Sequence, residues 1–356
     1  MSASRRTNVL LISVDHWPGV FRPAPGRLQT QTLDRLASAG TRFVRAYSEC
    51  PVCIPARRTL MTGTSPRVHG DRTFQTHLRM PALPTLARCF REAGYQCFAV
   101  GKLHVYPPRD RIGFDDVILA EEGRPQYGWL DDYDIALGDA GFPGRQFLHG
   151  MSNNDYAVRT WHLPEALHVT NWLTEQMCRT IRRRDPTRPA FWYLSYTHPH
   201  PPLVPLPFYW DLYADVRDGR TAVLEPWNPR DVGGAPSRSE SGGDSVEEPS
   251  LVRELRAAGP SGLEEPLAYR TAIAGFMALC THIDHQLRLV LGTLREEGIL
   301  QRTAILFTSD HGDMLGWRGL WGKRVLYEPS INVPMLLVLP RNDPRSAPGT
   351  VDRRLV

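Results

Sequence analysis

Four apolar runs, each ending in a cluster of chemically capable polar residues, constrain this chain more than any other feature. Asn8-Val9-Leu10-Leu11-Ile12-Ser13-Val14 leads into Asp15-His16. Gln96 to Val100 leads into Gly101-Lys102-Leu103-His104. Pro189-Ala190-Phe191-Trp192-Tyr193-Leu194-Ser195-Tyr196 leads into Thr197-His198-Pro199-His200-Pro201-Pro202, where the prolines stiffen the loop. Thr303-Ala304-Ile305-Leu306-Phe307-Thr308-Ser309 leads into Asp310-His311-Gly312-Asp313. Such runs read as strands of a parallel sheet buried on both faces. Helical periodicity lies between them, at Leu83 to Tyr95, Leu167 to Arg184 and Tyr269 to Glu297. Open α/β sheets collect functional groups at the carboxyl ends of their strands. The predicted fold is therefore α/β, a large and mostly parallel mixed sheet flanked by helices. A chain of 356 residues can form it as one domain over residues 1–356.

Composition removes several alternatives. Apolar residues make up 42% and charged residues 22%, ordinary for a globular protein. A net charge of +4, with no basic run longer than three residues, argues against nucleic acid and membrane partners. No apolar run reaches the length of a membrane span, and the N-terminus lacks the pattern of a secretory leader. Six scattered cysteines suit a reducing, cytoplasmic setting. Of 42 basic residues only two are lysines, Lys102 and Lys323. Arginine cannot give up its proton and lysine can, so these two mark positions where arginine does not serve. Residues 228–260 are dense in glycine, serine, proline and charge, and are expected to be a mobile surface excursion. Residues 105–160 read as loops over the site.

The second constraint is Cys50-Pro51-Val52-Cys53-Ile54-Pro55-Ala56-Arg57-Arg58-Thr59-Leu60-Met61-Thr62-Gly63. Pro55 suits the first turn of a helix. Cys53 would then sit at the helix N-terminus, where amides and dipole favour an anion, with Arg57 one turn on. Cys50 and Cys53 also form a C-x-x-C, a spacing shared by redox pairs and half zinc sites. No second C-x-x-C accompanies it, and the small βαβ context of a redox pair is missing.

The pattern C-x-P-x-R followed by L-x-T-G resembles the signature of the type I sulfatases, within the alkaline-phosphatase-like superfamily. The segment L-x-T-L-A…A-G-Y…G-K-x-H at Leu83 to His104, the P-H-x-P at Pro199, and the strand-end Asp310-His311 resemble it too. The resemblance implies that Cys53 is oxidised to formylglycine by a separate formylglycine-generating enzyme. It implies one divalent metal, Ca²⁺ by family with Mn²⁺ or Mg²⁺ as alternatives, held by Asp15, His16, the residue at Cys53, Asp310 and His311. His16 departs from the acid or amide usual at its position, and a second imidazole would tilt the preference towards Mn²⁺ or Zn²⁺. Arg57, Lys102, His104, His200 and Lys323 are the implied catalytic residues. His198 reads as structural, Asp313 as the cap of a following turn, and Asp284 as a helix-surface acid. Many relatives have histidine where Arg318 stands. The family continues into a small C-terminal subdomain beyond the point where this chain ends.

These features imply hydrolysis of a small-molecule sulfate monoester, with room for a homo-oligomer. The nearest rival is a phosphonate or phosphate ester hydrolase on the same fold. A non-catalytic remnant is the rival of a different class, opposed by the intact Cys53, Arg57, Lys102 and Lys323.

Overall fold

In the computed structural model all four apolar runs are strands of one sheet. The structure describes residues 6–21, 27–122, 128–221, 249–257, 259, 263 and 266–356. The strands are β1 (Asn8–Val14), β2 (Thr41–Phe43), β3 (Gln96–Gly101), β4 (Asp116–Leu119), β5 (Ala190–Ser195), β6 (Thr303–Ser309), β7 (Met335–Val338) and β8 (Thr350–Asp352). Their order across the sheet is β4-β3-β5-β1-β6-β7-β2-β8. The central ladders are parallel, and β7 alone runs antiparallel to its neighbours β6 and β2. The expected mostly parallel mixed sheet is what the chain forms.

Side chains on a strand alternate between faces, and β1 shows how this builds two cores. Leu10, Ile12 and Val14 join one cluster with Met177, Ile181, Phe276 and Leu287. Those partners come from the helices Val169–Arg182 and Pro266–Glu296. Leu11 joins the opposite cluster with Met61, Ala87, Phe114 and Tyr193. Met61 and Ala87 belong to the helices Cys53–Thr62 and Leu86–Glu92. Helices thus cover both faces, which is why the central strands are apolar over most of their length and on both sides.

Two expectations are corrected. Residues 105–160 are not loops throughout. They contain β4 and the helix Asp132–Asp139, whose N-cap Asp131 accepts the Asp134 amide at 2.8 Å. β4 was obscured because it has only four residues, with an exposed and two half-buried positions. Asp284 is not a helix-surface acid but is fully buried. Its carboxylate accepts the amides of Thr32 and Leu33 at 2.9 and 2.8 Å. Those belong to the helix Gln31–Ala39, whose own N-cap Thr30 makes no side-chain cap bond. A distant residue therefore caps this helix, which no local pattern could reveal. Most of the 228–260 excursion lies outside the described residues, although Ser250–Ala257 within it is helical.

Replacing Asp284 by Ala leaves two buried amides without their acceptor. The expected loss is about 2–3 kcal/mol, combining a lost cap with unsatisfied donors. Denaturant unfolding should register it, while Asp34→Ala, on the same helix, stays within about 0.5 kcal/mol of the parent.

Candidate active site

The carboxyl ends of β1, β3, β5 and β6 lie side by side. Ser13 pairs with Ser195, Val14 with Ser309, and Gly101 with Ser195. Asp15, Lys102 and Asp310 are each the first residue past a strand, so the register alone lines them along one edge. The Lys102 amide donates to the Ser195 carbonyl at 3.1 Å and the Asp310 amide to Val14 at 3.3 Å. Gly101 permits this approach. Its φ is +111°, and a Cβ there would stand 1.8 Å from the Ser195 oxygen.

Cys53 is the first residue of the helix Cys53–Thr62, and the preceding Val52 is extended and supplies no side-chain cap. Gly63, with φ +62°, closes the helix by donating its amide to Thr59 at 2.8 Å. Arg57 is 2% exposed and joins the strand ends together. Its Nε donates to Asp310 at 3.0 Å and its terminal nitrogens to Asp15 at 3.2 Å, the Lys102 carbonyl at 2.8 Å and Ser195 Oγ at 2.8 Å.

The Cys53 Sγ lies 3.1 Å from His311 Nε2 and 3.9 Å from Asp15 Oδ1. Burial pushes its thiol up, but Lys323, Lys102 and His311 outweigh burial and hold it well below the ordinary range. Burial and Cys53 likewise push Asp15 up, while Lys102, Arg57 and His200 bring it well down. Burial, with Lys323 and His200, lowers His16 against the pull of Asp313. Burial lowers His311, but Asp310 and Cys53 raise it above its usual value.

Both imidazoles are oriented alike. His16 Nδ1 meets Asp313 Oδ2 at 2.7 Å and His311 Nδ1 meets the Gly312 carbonyl at 2.9 Å. A proton on each Nδ1 leaves each Nε2 as a lone-pair donor towards the centre, the arrangement typical of metal-ligating histidine. One ligand atom each from Asp15, His16, Cys53 and His311 all lie within 4.8 Å of one another, and all four residues are buried. This mixed oxygen, nitrogen and sulfur set fits a divalent cation. Asp310 stands beside the set. Its Oδ1 accepts the His311 amide at 2.9 Å and lies 3.8 Å from Nε2, while Oδ2 turns to Arg57.

Lys102 Nζ reaches Asp15 at 2.5 Å and also bonds Glu122. Lys323 bonds His16 and lies 3.4 Å from His200 Nε2. His104 is buried; its amide donates to Glu121 at 2.9 Å and its ring meets the edge of Phe74 at 6.1 Å. His198 is buried, with Nδ1 3.2 Å from the His200 carbonyl.

Sequence reading missed Glu122 and the reach of Asp313. Glu122 follows the unrecognised strand β4, so nothing marked it as a strand-end residue. Asp313 does cap its turn, accepting the Leu315 amide at 2.9 Å and the Gly322 amide at 3.0 Å. It also holds His16 and the Tyr156 hydroxyl, partners visible only in three dimensions. His16, His104 and Glu122 have φ of +70°, +60° and +61°. Such left-handed backbone in larger residues is uncommon and clusters at functional sites.

Residues 7–354 match the family described as Sulfatase. The chain belongs to the sulfatase family. An arylsulfatase of Clostridium perfringens is 31% identical over 97% of this chain and 71% of its own length. A choline-sulfatase of Rhizobium meliloti is 29% identical over 97% of this chain and 64% of its own. Among solved structures, the phosphonate monoester hydrolase of Agrobacterium radiobacter superposes with a TM-score of 0.76 at 23% identity, over 99% of this chain and 71% of that one. That likeness establishes the alkaline-phosphatase-like fold. The sulfatase-family chain thus spans roughly two thirds of these relatives. Among the described residues, no helix is long and apolar enough to cross a membrane.

Within this sulfatase-family site Lys102 is the cation between two buried carboxylates. Lys102→Met is expected to cost about 3–5 kcal/mol, because it leaves buried charge uncompensated. Asp15 and Glu122 would then have raised folded-state pKa values, so stability is retained at low pH and lost as pH rises through them. Thermal melts should show a smaller deficit at about pH 5 than at about pH 8.

Proposed function

We propose that this chain hydrolyses sulfate monoesters, with Cys53 oxidised to formylglycine as the nucleophilic residue. The observation that carries the reading is the meeting of Cys53 with two lysines, an arginine and a buried ligand set around one point. Asp15, His16, the residue at Cys53 and His311, with Asp310 beside them, would hold one divalent cation. When bound, the cation supplies Lewis-acid polarisation and charge neutralisation, and the oxidised Cys53 supplies the attacking oxygen.

The chain's own residues do the rest. Lys102 and Lys323 present ammonium groups to the ester's oxygens. Arg57 orients Asp15 and Asp310 and adds positive charge behind Cys53. His200, next to Lys323, gives a proton to the departing alcohol, help typically worth about 100- to 10,000-fold. His104 assists release of sulfate. One hydroxyl of the water-hydrated aldehyde at residue 53 would attack sulfur as the ester S–O bond breaks, leaving the bridging oxygen on the alcohol; the second hydroxyl would then lose its proton as the C–O bond to the bound sulfate breaks, releasing sulfate and restoring the aldehyde.

No disulfide joins any of the six cysteines, which supports a reducing, cytoplasmic setting. A formylglycine-generating enzyme is then a required partner. Family resemblance implies Ca²⁺, and the second imidazole moves the preference towards Mn²⁺ or Zn²⁺. A phosphonate monoester reading is favoured by His16, a neutral donor where a second acid is usual.

Mass spectrometry of the tryptic peptide 46–57, fragmented to separate residue 53 from Cys50, should find the aldehyde after co-expression with the generating enzyme. Cys53→Ala should abolish sulfate ester turnover, and unchanged turnover would refute the nucleophile. Aryl sulfate should be turned over faster than aryl phosphonate; the reverse order establishes the rival. After chelation, Mn²⁺ should raise the melting temperature more than Ca²⁺ does. Asp313→Asn should weaken that metal binding by roughly 10- to 100-fold, because it removes the carboxylate charge that orients the His16 ring and raises its basicity.

A further inference from the structure

The turn that carries Lys102 and His104 off the end of β3 is held from two sides. On the sheet side the Lys102 amide donates to the Ser195 carbonyl at 3.1 Å, and Arg57 donates to the Lys102 carbonyl at 2.8 Å. The next two amides lie past the strand, in residues only 2% and 3% exposed. One oxygen of Glu121 accepts both, the Leu103 amide at 2.8 Å and the His104 amide at 2.9 Å. Glu121 is itself buried and stands two residues past the end of β4. Its own amide donates to Asp131 at 2.5 Å, and the Leu119 amide donates to Asp132 at 2.7 Å. Asp131 is the N-cap and Asp132 the first residue of the helix Asp132–Asp139. A path of hydrogen bonds thus runs from that helix through Glu121 to His104.

A buried carboxylate that accepts two consecutive amides fixes the chain there, because each donor would otherwise be left unsatisfied in the interior. What it fixes is uncommon backbone. His104 has φ +60°, which a residue of that size adopts only where its surroundings impose it. The backbone conformation sets the direction of Cβ and so the reach of the imidazole. Lys102 has ties of its own, to Asp15 and Glu122 through Nζ. Glu121 therefore acts on His104 more than on Lys102. We propose that Glu121 is a positioning residue, which holds the Leu103 and His104 amides on one oxygen and so sets the His104 ring for the release of sulfate. In that step His104 takes the proton of the second hydroxyl as the C–O bond to sulfate breaks. The proposal rests on the sulfate-ester reading for the step but not for the geometry.

Kinetics separate positioning from a merely structural role. When release alone is slowed, kcat and KM for 4-nitrophenyl sulfate fall together and kcat/KM is kept. Glu121→Ala should lower both by roughly 10- to 100-fold, the size of the effect of a misplaced group. Mass spectrometry should then find sulfate retained on peptide 46–57. Glu121→Gln, whose amide oxygen can accept the same two bonds, should recover most of kcat. Asp116→Ala, at an exposed position of β4, should match the parent. A second arm needs no turnover. In ¹H–¹³C spectra of the histidine-labelled chain, the His104 ring signal is assigned by its loss in His104→Gln. Glu121→Ala should shift or split that signal, and Glu121→Gln should leave it in place. Melting curves certify that each variant is folded. Should Glu121→Ala not fold, Glu121→Asp, one methylene short of the two amides, replaces it with the same expected pattern. Unchanged kcat, or a fall in kcat at constant KM, overturns the proposal, as does a His104 signal indifferent to the variant. If no sulfate ester is turned over yet the signal moves and glutamine restores it, the hydrolase reading fails and the positioning of His104 by Glu121 stands.

Discussion

The buried guanidinium of Arg57 is the constraint on which the rest of the site depends. A charge taken out of water is costly unless every face of it is answered. Here the answers come from four different strand ends: Asp15 after β1, the Lys102 carbonyl after β3, Ser195 at the end of β5 and Asp310 after β6. One side chain therefore reports on the whole sheet register. A strand slipped by one residue would leave a buried charge without a partner. The same bonds set the carboxylates of Asp15 and Asp310 in place before any ligand arrives.

Around that bracket the charges alternate. Lys102 joins Asp15 and Glu122, Lys323 stands between His16 and His200, and Asp313 secures His16 from behind. These contacts, rather than solvent, decide the protonation of Cys53 and Asp15. Both are pulled well below their ordinary range despite burial, because the ammonium and guanidinium groups outweigh it. The site is thus prepared for anions on one side.

Much of the architecture was legible along the chain. The buried strands announce themselves because both of their faces are covered, which forces a continuous apolar run. Cys53, Arg57, Lys102, Asp310 and His311 were legible because each stands at a strand end or in a spaced motif. Glu122 was not, because β4 is short and half exposed. Asp284 was misread, because an acid in a helix is exposed by default and its partners lie some 250 residues away.

Alone, the sequence determined the four buried strands that carry the site, the polar residues that follow them, and which thiol heads a helix. These follow from periodicity, backbone chemistry and local spacing. Only the tertiary structure decided that Asp313 turns His16 into an Nε2 donor and that Arg57 ties the strand ends together. Each of those depends on contacts between residues remote in the chain, made by strand register and helix packing that no local pattern encodes.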